Sequence, residues 1–92
     1  MKKFNEHKDV AVLTTKFVLF ENEPITHIYH HEEDGMWEFV SDSKSQESDY
    51  KVISLDEIVT FDPSILEVAD LKLGNYAYRK DKNSGWHIAD IE

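Results

Sequence analysis

The sequence predicts an α+β domain, an antiparallel sheet of about five to six strands with one or two short helices on one face. Three observations carry that expectation. Short β-branched and aromatic runs alternate with polar breaks along most of the chain. A capped helix start, Ser54-Leu55-Asp56-Glu57, stands among them. An Asp34-Gly35 pair separates two runs that alternate apolar and polar residues, as a hairpin does.

Taken in order, Val10 to Thr15 is short, β-branched and bounded by charge, and reads as the first strand. Phe17-Val18-Leu19-Phe20 reads as a second strand or a continuation of the first. Pro24 resets the chain, and Ile25 to His30 is again rich in residues that suit a pleated surface. Glycine accepts positive φ freely and aspartate tolerates it, so Asp34 and Gly35 are expected to form a two-residue type I′ loop. In that register Glu33 faces Met36, Glu32 faces Trp37, His31 faces Glu38, His30 faces Phe39 and Tyr29 faces Val40. One face then carries Ile28, His30, Glu32, Trp37 and Phe39; the other carries His27, Tyr29, His31, Met36, Glu38 and Val40. The adjacent histidines point apart.

Ser41 to Asp49 is a polar loop, and Tyr50 to Ile53 is one more strand. Ser54 and Glu57 form a capping box, while Ile53 and Ile58 hold the N′ and N4 positions of a hydrophobic staple, so a helix starts at Leu55. Asp62-Pro63 supplies a new N-cap followed by proline at N1, opening a second helical segment through Asp70. Gly74 ends it. Asn75 to Arg79 reads as a strand, Asp81 to Gly85 as a turn, and Trp86 to Ile91 as the last strand.

The 92 residues are expected to form a single domain spanning 1–92, with 1–9 flexible, since a chain this short buries only about 65% of its extended surface and supports one core. The chain has no cysteine, which removes disulfide and thiolate chemistry and suits a reducing compartment. The basic start turns polar where a signal peptide needs an apolar run, and no stretch approaches the roughly 20 apolar residues of a membrane span. A cytoplasmic protein without membrane contact is the expectation.

Net charge is -9, and residues 32–62 hold ten acids against two lysines while the rest of the chain sums to -1. Such a segment repels phosphate backbones, which argues against nucleic acid, and attracts basic partners. Solubility alone is the plain alternative.

Imidazole and carboxylate suit zinc when three or four converge. The hairpin separates His30 from His31 and leaves His27, His31 and Glu38 as the most plausible shared-face set, with a cross-strand polar pair of His31 and Glu38 as the plain alternative. For acid–base work, His30 beside Glu32 on the face with Trp37 and Phe39 is the nearest candidate, against a structural histidine among aromatics. No nucleophile turn or phosphate-cradling loop is present, and no cofactor is expected. Tyr76 and Tyr78 share one face of their strand and would anchor a partner if that face is open. Arg79, on the other face with Ala77, is expected to pair with an acid.

The runs "PITHIYHHEEDGMWEFVS", "YKVISLDEIVTFDPSI", "GNYAYR" and a closing "GW" resemble a family of small, uncharacterised bacterial domains. Those domains carry a His-acid-acid-Gly-x-Trp-x-Phe hairpin, a Ser-Leu-x-Glu-Ile helix start, an Asp-Pro-Ser step and a Gly-x-x-Ala-x-Arg strand. The matching positions run from His31, Asp34, Gly35, Trp37 and Phe39 through Ser54, Glu57, Asp62 and Pro63 to Gly74, Ala77, Arg79 and Trp86. The pattern is also similar to domains grouped with immunity proteins of polymorphic toxin systems. That resemblance implies a binder of a toxin and assigns no catalytic residue.

The expected function is therefore that of a non-enzymatic, immunity-like protein, a monomer or weak homodimer that meets a basic protein partner. Glu32, Glu33 and Asp34 at the hairpin tip, Asp42, Glu47 and Asp49 in the next loop, and Tyr76 and Tyr78 are the expected contact residues. The alternative is a small enzyme or metal-binding domain using His27, His30, His31 and Glu32.

Overall fold

The computed structural model describes residues 2–91. Its elements are β1 (Ala11–Thr15), α1 (Lys16–Phe20), β2 (His27–His30), β3 (Trp37–Val40), a 3-10 turn (Glu47–Asp49), β4 (Tyr50–Ser54), α2 (Leu55–Phe61), a 3-10 helix (Pro63–Val68), β5 (Asn75–Tyr78) and β6 (His87–Asp90). The six strands form one sheet in the order β4-β1-β3-β2-β5-β6. This is the expected α+β architecture, with one addition. All neighbours are antiparallel except β1 and β3, which run parallel with Leu13 beside Glu38. A parallel pair needs a crossover between its strands, and α1 with the turn after it begins that crossover.

Strand alternation divides the sheet into two unlike faces. Val12, Ile28, Trp37, Phe39 and Ala77 share one face and are buried with Val18, Leu55, Ile58, Ile65, Val68 and Leu71 of the helical layer. Burying a side chain of the Val, Leu, Ile or Phe type contributes about 1.5–3 kcal/mol. Phe4 adds an edge-on plug against Trp37, centroids 4.9 Å apart, so residues 2–9 include a packed side chain. The opposite face carries none of this core cluster.

Phe17 to Phe20 is helix, which corrects the expected strand. Thr15 ends β1 in an extended conformation, and its Oγ1 accepts the Val18 N–H at 3.4 Å, an N-cap that turns the run inward. Helical spacing then buries Val18 and leaves Phe20 on the surface.

The hairpin register is also corrected. His30 pairs with Trp37 and Ile28 with Phe39, a shift of two residues from the expected pairing. Gly35 has φ 74°, but Asp34 is not left-handed as a type I′ turn requires. Its Oδ1 accepts the Met36 N–H at 2.9 Å instead, and Gly35 N–H closes on His31 O at 2.9 Å to make a longer loop. An even shift preserves face membership, so His30 and His31 still point apart.

The later elements follow their signals. Ser54 Oγ accepts from Glu57 N–H at 3.1 Å and Glu57 Oε1 from Ser54 N–H at 2.9 Å, while Ile53 and Ile58 both meet the core. Asp62 caps the segment after Pro63, which is 3-10 rather than α. Arg79 is buried and meets the expected acid: Nη2 donates to Asp62 Oδ2 at 3.2 Å, Nη1 to Ser64 Oγ at 3.0 Å and Nε to Ile25 O at 2.9 Å. Its guanidinium lies 4.1 Å from the Trp86 ring centroid. One side chain thus ties β5 to the helical layer.

Candidate functional site

The uncovered face gathers the polar chemistry of the chain. Because Tyr29 pairs with Glu38 and Tyr76, and Tyr78 with His27 and His87, alternation brings these residues onto one surface. Their rings run in a row across it: His31 to Tyr29 at 5.8 Å, Tyr29 to Tyr76 at 5.1 Å, Tyr76 to Tyr78 at 5.4 Å and Tyr78 to His87 at 5.4 Å. Stacked neighbours hold one another upright, a low-entropy arrangement for contact groups.

Beside the row lies a shallow concavity of about 370 Å³ whose lining includes His27, Tyr29, His31, Glu38, Asp42 and Tyr50. Two histidine–carboxylate pairs open onto it. His31 Nε2 donates to Glu38 Oε1 at 2.8 Å, as expected for that pair although the contact is diagonal in the corrected register. His27 Nε2 donates to Asp42 Oδ1 at 2.8 Å, and Thr26 Oγ1 donates to the same oxygen at 2.8 Å. The Thr26 and His27 bonds hold the Asp42 carboxyl below the usual range. Burial, and then the Glu38 charge, push the phenols of Tyr29 and Tyr50 up. At neutral pH the lining therefore offers intact phenols and ionised Asp42.

The expected contact residues divide. Tyr76 and Tyr78 belong to the row, and Asp42 to the concavity. Glu32, Glu33 and Asp34 are exposed at the hairpin tip, and Glu47 is exposed on the turn before β4. Asp49 is only 9% exposed. It accepts the Gln46 N–H at 2.8 Å and meets Lys16 Nζ at 3.2 Å, so its carboxylate is occupied within the fold. The backbone bond from Gln46 is the main cause of its lowered pKa.

The acidic segment does not gather at one point. The tip and the loop after Val40 lie at opposite ends of β3, about 13 Å apart for four residues of strand. Each borders one end of the uncovered face.

His30 lies on the covered side, 8% exposed, stacked on Trp37 at 3.9 Å with Nδ1 donating to Leu71 O at 2.8 Å. Glu6 Oε2 accepts from Trp37 Nε1 at 2.8 Å and lies 3.6 Å from His30 Nε2. His27, His30, His31 and Glu32 are therefore not one site. His27, His31 and Glu38 share a face, but each histidine has its own carboxylate. No group of three or more metal-ligating side chains converges among the described residues.

Against this geometry the chain was compared with known proteins. No protein-family profile, curated protein or solved structure matches it. Among the described residues no helix is long and apolar enough to cross a membrane.

Three participants escaped the sequence reading. His87 enters the row only because β6 lies beside β5. Glu23 receives Ser41 Oγ at 2.7 Å and Ser43 Oγ at 2.7 Å, fixing the loop that carries Asp42. Tyr29 had a legible face, but its stacking on Tyr76 was not legible. For His87 and Tyr29 the missing information was strand order, which local pattern does not encode.

Proposed function

We propose that the protein is a non-catalytic, immunity-like binding domain of the cytoplasm whose uncovered sheet face docks a basic protein partner. The row of rings from His31 to His87 carries this reading. Aromatic side chains held rigid at the centre of a surface are the usual anchors of interfaces, with polar and charged groups around them. Glu32, Glu33 and Asp34 follow His31 at the head of the row, Asp42 bonds His27 beside Tyr78, and Glu47 adds its charge toward the β4 edge, which suits lysines and arginines and speeds encounter. The resemblance to toxin-immunity domains points the same way.

The test is capture of partners from the protein's own cells at low and high salt, by the native chain and by a Tyr76→Ala, Tyr78→Ala, Asp42→Lys triple variant. A basic protein held at low salt, released at high salt and missed by the variant is the expected result. Equal capture by the variant removes the uncovered face from consideration.

A second reading, acid–base chemistry on a small substrate, is favoured by one observation: both histidine–carboxylate pairs open onto the same concavity. His27→Gln and His31→Gln separate the two. A binding domain retains its partner within a few-fold after either change, whereas an enzyme loses turnover.

A further inference from the structure

The sheet ends in two edge strands, β4 and β6, and an unpaired edge is a template for another strand. Exposed apolar side chains gather at β4 from both sides. Val52, 63% exposed, and Tyr50 stand on the uncovered face. On the helical side, Phe20, 73% exposed, and Phe61 wall a groove of about 440 Å³ that reaches Ile53 and includes Asp56 and Glu57.

The backbone narrows the available edge to one residue. Leu55 N–H donates to Val10 O at 2.8 Å, so by antiparallel alternation Lys51 and Ile53 direct their amides toward β1, while Tyr50, Val52 and Ser54 direct theirs outward. Tyr50 N–H is taken by Glu47 O, and Ser54 N–H by Glu57 Oε1 at 2.9 Å. Among the described residues nothing takes the Val52 N–H or C=O, and both face a strand from outside.

We propose that a second copy of this chain supplies that strand: two β4 strands pair antiparallel across a two-fold axis at Val52. The register follows from the symmetry. Val52 meets Val52 of the other copy on the uncovered face and the two exchange the free backbone hydrogen bonds. Tyr50 lies opposite Ser54. On the helical side Lys51 lies opposite Ile53, which places its ammonium over the groove that holds Asp56 and Glu57.

Charge complementarity selects this occupant. Lys51 is one of two lysines in the acidic 32–62 segment, and the two-fold keeps the paired lysines apart while setting each toward the other copy's acids. A similar axis at Ile88 of β6 places no opposite charges across from each other. The isologous geometry closes at two copies. With -9 on each chain, overall repulsion keeps the dimer weak, and added salt tightens it. That dependence is opposite in sign to the one expected for the basic partner, so either idea can fail without the other.

The experiment is sedimentation equilibrium of the full chain over a concentration series at low and high salt. A monomer–dimer equilibrium, at least several-fold tighter at high salt and at least tenfold weaker in Val52→Lys, is expected, with Ile88→Lys unchanged. Because the chain has no cysteine, Val52→Cys and Ile88→Cys give a second reading that does not depend on Val52→Lys folding. A short bismaleimide, which adds one thiol to each end, is expected to join Val52→Cys into dimers and to leave Ile88→Cys monomeric. A monomer at every concentration, a dimer indifferent to Val52→Lys, or crosslinking through Ile88→Cys overturns the proposal.

Discussion

His30 and His31 are neighbours in the chain, and each samples a different face of the sheet. His30 is stacked on Trp37, bonded to a backbone carbonyl and closed over by Glu6. His31 stands at the head of a row of rings with its carboxylate partner at the edge of an open concavity. Composition does not separate these surroundings, because both offer aromatics and acid. What separates them is the helical layer, which makes one histidine part of a packed interior and leaves the other available to a ligand. A buried polar group is held to its geometry by the cost of losing its partners. An exposed one is free to change them.

That contrast is sharpest where packing is densest. Phe39→Ala on the covered face is expected to lower unfolding free energy by about 3–5 kcal/mol, measured by urea titration, whereas Tyr78→Ala on the uncovered face costs less than about 1 kcal/mol. Equal losses would mean that the uncovered face is part of the core.

Next comes the ion pair that anchors the helical layer. Asp62→Ala leaves the Arg79 guanidinium buried without its carboxylate, and about 3 kcal/mol of stability is expected to go. A loss below about 1 kcal/mol would show that Ile25 O and Ser64 suffice for that charge.

The two histidines give the direct comparison. His30→Ala should cost about 2–3 kcal/mol, from a void beside Trp37 and an unpartnered Leu71 carbonyl. His31→Ala should cost about 0.2–1 kcal/mol, the range of a single cross-strand pair. Reversed magnitudes would break the assignment of faces.

The smallest effect lies in acid. Asp42 has a depressed pKa in the fold, so its contribution is present above the unfolded value of about 3.9 and fades as pH falls through the lowered folded value. Stability followed from pH 5 to pH 2 should decline less steeply in Asp42→Asn than in the native chain. Asp49, Glu57 and Asp81, also depressed, contribute to the remaining decline. An unchanged slope would leave the Thr26 and His27 bonds without energetic weight.

Much of the fold was readable because its signals are local. Ser54 and Glu57 satisfy each other's amides, Asp62 with Pro63 starts the 3-10 helix, and alternation along β2 and β3 assigns faces that survive an even shift of register. The errors were local too. In Phe17 to Phe20 an apolar run fits strand and helix alike, and the cap at Thr15 decides it. At Asp34 the choice between positive φ and a side-chain bond to Met36 N–H sets the loop length. The site was only half legible. Tyr76, Tyr78, His27, His31 and Glu38 could be placed on faces, but their assembly depends on β5 lying beside β2 and β6 beside β5. Asp49 resembled every other loop acid until Lys16 and Gln46 were found beside it.

The parallel contact between β1 and β3 also bears on how the chain acquires its shape. Strand β1 is flanked by β3 and β4, so both of its neighbours come later in the sequence. The β2–β3 and β5–β6 pairs, by contrast, join consecutive strands and close short loops. Non-local pairing must meet its loop-closure entropy before any contact repays it. At about 5–20 residues per second of synthesis, β1 emerges first and waits on the order of seconds for β4. The first strand of the sheet is thus secured only after β3 and β4 have been made.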